Sequence, residues 1–391
     1  MALLLSVMGV NIVHINLVKA NIADFNEKNH LSDITSQLKI NHNHFLASQH
    51  NNTSINQPCE LVTSEAADNF LFTLKGQHNY DIDSLAFTPD GKTLVSGSIY
   101  NKINLWDFEK RQLKRVINAG KDGVNTIAIS ADGSLLAAGG GFSQPETDKT
   151  IKVWNLKTGR MIFKFTGHTQ GINALTFTPD GKTLISGSSD KTIKFWNLNN
   201  GKLVRTLRGH THWVMSLAIS PDGKTLASAG GAYKIDSDTA IRLWDMQTGK
   251  LLKTFPRTPE AIGILVFSPD GKTLVSSTGK LQTNTTINFW DINSGRLVNN
   301  ILENAVSLIF SKDGENLLTV NSSYAVDLWN ISNGKKIKNL IAGIKLDNDQ
   351  NIGRIYVSAA TLHPDGKTLV IGEGGVLSGY RIGIRQISFD K

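Results

Sequence analysis

His, Ser and Asp recur together twice in this chain, as His168, Ser186 and Asp190 and again as His210, Ser228 and Asp238. A Ser hydroxyl beside a His base and an orienting Asp is the set that performs acyl transfer, so hydrolysis is the first chemistry to weigh. No G-x-S-x-G elbow accompanies either set, and the chain holds no G-x-x-x-x-G-K phosphate loop and no dinucleotide G-x-G-x-x-G opening a helix. The glycine runs at Gly139 to Gly141 and Gly372 to Gly375 join strands, so no helix N-terminus stands behind them to hold an anion. His42, His44 and His50 lack the Cys or carboxylate neighbours of a metal site, and neither a metal nor a cofactor is expected.

The elements that must position these residues are short strands. Residues 166–207 read TGHTQGINALTFTPDGKTLISGSSDKTIKFWNLNNGKLVRTL. INALTF, TLISGS, TIKFWNL and KLVRTL alternate inward and outward positions, and PDG, SDKT and NNG sit where the backbone must reverse. Four such strands make one antiparallel sheet in about 42 residues, the period of a propeller blade.

The unit opens on Gly167-His168 and nears its end on Trp196-Asn197, and in these residues it resembles the WD-repeat proteins. Within that family the His, a strand Ser, a turn Asp and the Trp form a hydrogen-bonded chain. The resemblance implies such a chain through His168, Ser186, Asp190 and Trp196, and a second through His210, Ser228, Asp238 and Trp244. A buried indole N–H, hydroxyl and imidazole each need a partner, and linking them in series satisfies all three. The same arrangement buries the Ser away from any substrate, so these sets are expected to be structural and the protein not to be an enzyme.

The first-turn Asp appears at Asp90, Asp132, Asp180, Asp222, Asp270, Asp313 and Asp365, which predicts an all-β, seven-bladed propeller of four-stranded antiparallel blades over residues 70–391. Trp106, Trp154, Trp196, Trp244, Trp290 and Trp329 follow in turn, and Arg385 takes the seventh place. The first unit keeps His78, Ser96 and Trp106 but has Tyr100 for the Asp. Gly120, Thr258, Ile301 and Gly353 replace the His elsewhere, so four blades are expected to rely on packing alone. The segment FLFTL, Phe70 to Leu74, matches the last strand of later units, while the chain ends at Lys391 one strand short. The early segment is therefore expected to complete the last blade from outside and close the ring, removing two open sheet edges.

From turn Asp to Trp the chain takes sixteen residues in units one, three and six, but twenty or twenty-two in the others, counting to Arg385 in the seventh. The extra residues, GGGFSQPETD, GGAYKIDSD, STGKLQTNT and GEGGVLSGY, fall between second and third strands and decorate one face, the expected partner face. Three residues after the His place, each unit sets a side chain near the channel mouth: Asp81, Gly123, Gly171, Trp213, Ala261, Asn304 and Tyr356. Aromatic side chains at a rim anchor partners well, which singles out Trp213 and Tyr356, with Asp81 and Asn304 beside them.

With 40% apolar and 19% charged residues in 391, the chain can build a large core. The lone Cys59 excludes an intramolecular disulfide. Net charge is +8, yet Lys92, Lys182, Lys224, Lys272 and Lys367 recur in the DGKT turn, one per unit, so no nucleic-acid stripe is expected. Residues 1–20, MALLLSVMGVNIVHINLVKA, read either as a secretory signal peptide or as an apolar leader, and no transmembrane span is expected. Residues 21–69 are rich in Asn, His and Ser and read as a disordered arm. The leading expectation is a non-catalytic, monomeric scaffold that binds a protein or peptide on its loop-bearing face. The other is an enzyme or small-molecule sensor with its site in the central channel.

Overall fold

A computed structural model describes residues 72–74, 78, 81–98, 102–120, 123–141, 149–231, 238–277, 285–303, 305–342, 356–374 and 382–387. The leader of 1–20 and the arm of 21–69 lie outside the described residues. The rest falls within one compact unit, Ala66–Lys391.

Local chemistry sets each blade. In blades one to six the first-turn Asp accepts the hydroxyl two residues before it and the backbone N–H two residues after it, as Asp180 does from Thr178 at 2.6 Å and from Lys182 at 3.0 Å, while Asp365 of blade seven takes the hydroxyl of Thr368 instead. These bonds close a tight turn between the innermost strand and its neighbour and hold the carboxyl below its usual range, the Thr178 hydroxyl contributing most. Between third and outermost strands an Asn or Asp side chain caps the turn, as Asn197 does for the N–H groups of Asn199 and Asn200. In blade three the strands are Ile172–Phe177, Thr183–Ser188, Ile193–Asn197 and Leu203–Leu207, paired antiparallel in that order. Six sheets follow this up-and-down order of consecutive strands.

The seventh sheet joins Tyr356–Leu362, Thr368–Gly374 and Ile382–Gln386 to the early strand Phe72–Leu74. Phe72 pairs with Ile384 and Leu74 with Ile382, so the expected closure is observed. The seven sheets form a seven-bladed propeller, and no helix occurs among the described residues. Innermost strands meet in ring order, Tyr356–Leu362 lying against Ile82–Phe87 at the seam. Polar side chains staple neighbouring blades there: Asn173 donates to Val214 O at 3.1 Å, and Ser358 to Ile82 O at 2.7 Å.

The core is a set of layers between blades. The Trp196 ring stacks on Phe165 of the preceding blade with centroids 5.0 Å apart, above Ile172 and Leu184. At the seam the layer contains Leu74, Ile82, Trp106, Ile382 and Ile384, so the early strand contributes to the core and does not merely cover an edge.

Candidate partner-binding face

In blade three His168 Nδ1 lies 2.7 Å from Asp190 Oδ2 and Nε2 lies 2.7 Å from Ser186 Oγ, which accepts the indole N–H of Trp196 at 2.8 Å. With the indole donating to Oγ, the hydroxyl proton points to Nε2 and the Nδ1 proton to Asp190. That is the hydrogen-bond sense of an acyl-transfer triad, but Ser186 has no exposed surface and its oxygen is already engaged by a Trp. Burial pushes the Asp190 carboxyl up, yet the bond and charge of His168, with the Thr192 hydroxyl and Thr169 N–H, hold it well below the carboxylate range.

Blade four varies the theme. His210 Nε2 lies 2.7 Å from Ser228 Oγ, and Trp244 donates to the same oxygen at 2.7 Å. Here Arg242 enters, 3.0 Å from His210 Nδ1 and 2.8 Å from Asp238 Oδ2. His210 Nδ1 thus faces both this guanidinium, which only donates, and the Asp238 carboxylate, which only accepts, at 3.4 Å. Burial lowers the His210 pKa, opposed by Asp238 and assisted by Arg242. Blade one keeps a shorter chain, His78 to Ser96 at 2.6 Å and Trp106 to Ser96 at 2.9 Å. Tyr100 lies outside the described residues.

The expectation that four blades rely on packing alone needs correction. Trp290 donates to Ser276 at 2.9 Å and Trp329 to Thr319 at 3.0 Å, so blades five and six retain the indole-to-hydroxyl half of the chain. Only the hydroxyl has to stand across from the Trp for that half to form, and the His reading overlooked it. In blade two Gly120 and Ala138 take the places of His and Ser, a small pocket opens beside Trp154, and Lys152 crosses it to Ala119 O at 2.5 Å. Blade seven instead buries Glu373 beside Arg385. Burial lowers the Arg385 pKa and the charge of Glu373 opposes that shift. Sequence reasoning missed Glu373, whose signal was a carboxylate inside the apolar run TLVIGEG.

Asp81 and Tyr356, two of the four expected partner-binding residues, come together across the ring closure, Tyr356 Oη donating to Asp81 Oδ2. Asp81 is buried and Tyr356 half-buried, whereas Asn304 lies outside the described residues. Trp213 is half-exposed, unlike the six buried Trp residues of the blade cores. Residues 142–148, 232–237, 278–284 and 375–381 of the long connections are outside the described residues, but their roots are not. Gly231 N–H donates to Trp213 O at 3.1 Å and Asp238 N–H to His212 Nδ1 at 3.0 Å, so both ends of the blade-four connection are fixed on His212 and Trp213. Tyr356 pairs with Gly374, where the blade-seven connection departs. Among the described residues no group of three His, Cys, Asp or Glu is placed to hold a metal ion, and no helix is long and apolar enough to cross a membrane.

Comparison with known proteins bears on this arrangement. The family model described as "WD domain, G-beta repeat" matches residues 68–107, 111–155, 159–197, 201–245 and 249–291. The chain is similar to cilia- and flagella-associated protein 52 of Chlamydomonas reinhardtii, 32% identical over 104 residues, 26% of this chain and 16% of that protein. It is also similar to an uncharacterised WD repeat-containing protein of Synechocystis, 29% identical over 140 residues, 35% of this chain and 37% of that one. Protein groucho of Drosophila melanogaster is 31% identical over 111 residues, 28% of this chain and 14% of its own length. These similarities span well under half of each relative. Five matched repeats covering more than half of the residues, set in a closed ring of seven blades, make this chain a member of the WD-repeat family.

Proposed function

We propose that the protein is a non-catalytic platform whose propeller binds a protein or peptide on the face that carries the long connections. Trp213 is the principal anchor in this reading, with Tyr356, Asp81 and Asn304 around the same mouth. The observation that carries it is a half-exposed Trp at the root of an inserted connection, held by bonds from Gly231 and Asp238 on a rigid scaffold. Membership of a family of interaction scaffolds supports the platform, and the burial of every Ser of the His–Ser chains argues against hydrolysis there. The Asp81–Tyr356 pair adds a polar group and an aromatic face beside the mouth.

The test compares immobilised wild-type protein with Trp213→Ala. Proteins retained by the wild type should be recovered roughly tenfold less on the variant, the loss expected for an aromatic hot spot. Thermal melting should be nearly unchanged, because Trp213 lies outside the core layers. Equal recovery on the variant would remove Trp213 from the site.

A further inference from the structure

The outermost strands of blades two to five begin alike. Arg160-Met161-Ile162, Lys202-Leu203-Val204, Lys250-Leu251-Leu252 and Arg296-Leu297-Val298 each place an exposed cation before two exposed apolar side chains. The eight apolar side chains are 45 to 61% exposed. Blades one and six break the pattern, with Gln112-Leu113 and Lys336-Ile337, where Leu113 and Ile337 pack against core layers. The pairs therefore occupy one unbroken arc of the perimeter, and an ordered apolar arc of this kind on a soluble surface calls for a partner.

Charge and geometry narrow what that partner is. Residues 157–164, 198–205, 246–253 and 292–299 contain no carboxylate and eight cations. Two of these cations are committed, Arg205 to Gln247 O at 2.8 Å and Lys253 to Asn293 O, each clasping the turn of the next blade. The nearest acids, Asp245 and Asp291, are engaged by the N–H and hydroxyl of Thr248 and Ser294. Rotation about the propeller axis puts equivalent residues of successive blades on one circle, in a plane perpendicular to that axis. Each pair directly follows the turn between third and outermost strands, so the circle runs along the edge of the face opposite the long connections. A flat partner meets all four pairs at once. An acidic peptide would have to bend around four blades to do so.

We propose that this arc docks on the interface of a membrane leaflet rich in anionic lipid. Arg160, Lys202, Lys250 and Arg296 meet the headgroup phosphates, and the aliphatic pairs beside them enter the apolar boundary below. The assignment is independent of partner binding through Trp213 and leaves that face turned away from the membrane.

Vesicle co-sedimentation of the full chain tests it, with phosphatidylcholine alone and with equimolar phosphatidylcholine and phosphatidylglycerol. The bound fraction on anionic vesicles should exceed that on neutral ones by about tenfold and fall with added salt. One variant carries Met161→Ser, Val204→Ser, Leu252→Ser and Val298→Ser; a second carries Arg160→Gln, Lys202→Gln, Lys250→Gln and Arg296→Gln. Each should lose about tenfold in binding to anionic vesicles, with unchanged melting and unchanged capture of Trp213-dependent partners. Wild-type binding that is absent or equal on both vesicles, or binding by both variants that is unchanged from wild type, would overturn the proposal, the last by assigning attachment to residues outside the arc. A solution dimer that the serine variant dissociates would also overturn it, since a second copy would then cover the arc.

Discussion

Ser186 serves two ring nitrogens, the Trp196 indole and His168, while Ser276 serves only the Trp290 indole. The difference is set by what stands eighteen residues upstream, His168 in one case and Thr258 in the other. His78 is the residue where this chemistry becomes measurable with pH. Burial first, and Lys102 second, push its pKa down to about 4. The folded chain keeps the ring neutral, while the unfolded chain takes up a proton as pH falls through about 6.5. The unfolded state then binds more protons, so stability declines from about pH 6.5 to about pH 4 and this contribution is flat below. The window corresponds to at most about 3 kcal/mol. Urea unfolding across that range should show a smaller decline for His78→Gln, which hydrogen-bonds but does not titrate. Asp190 and Asp238 act elsewhere: their carboxyls are depressed, so the stability they supply is complete above about pH 4 and lost only as pH falls below it.

At the scale of the element, the blades differ most informatively in the turn before the outermost strand. Gly159, Gly201, Gly249, Gly295 and Gly334 take φ between 64 and 74° there, and blade one makes the same turn with Arg111 at φ 56°. A side chain in this left-handed region costs about 1 kcal/mol that glycine avoids. Arg111→Gly should therefore raise the unfolding free energy by about 1 kcal/mol, read as a shift of the urea midpoint at constant slope. Such turns were legible from the amino-acid order because their causes are local: an Asn or Asp at the end of the third strand that caps the turn, then Gly four residues on. The same locality made blades six and seven readable from Asp313, Trp329 and Asp365, although the family model stops at residue 291. The hydroxyls of Ser276 and Thr319 were harder to assign, because their partners lie one strand away.

For the whole propeller the decisive contact is the closure. Leu74 is 2% exposed and packs with Trp106 of blade one and Ile382 and Ile384 of blade seven. Leu74→Ala should cost about 2–4 kcal/mol, as for other large-to-small changes in a core. It should also raise light scattering on mild heating, as the edge of Ile382–Gln386 opens to other chains. The same change at exposed Leu203 should cost less than about 0.5 kcal/mol, and unfolding curves of the two variants make the comparison. Strand order, turn positions, the count of blades and the need for an early strand to finish the last one all followed from the amino-acid order, since each depends on periodic pattern and short-range hydrogen bonds. Only the tertiary structure decided that Asp81 and Tyr356, 275 positions apart, are hydrogen-bonded across the seam. It alone showed Glu373 buried beside Arg385, and the eight apolar side chains of four separate strands lying on one arc of the rim. Those facts depend on which surfaces meet and which are left uncovered when the ring shuts, and no local pattern encodes that.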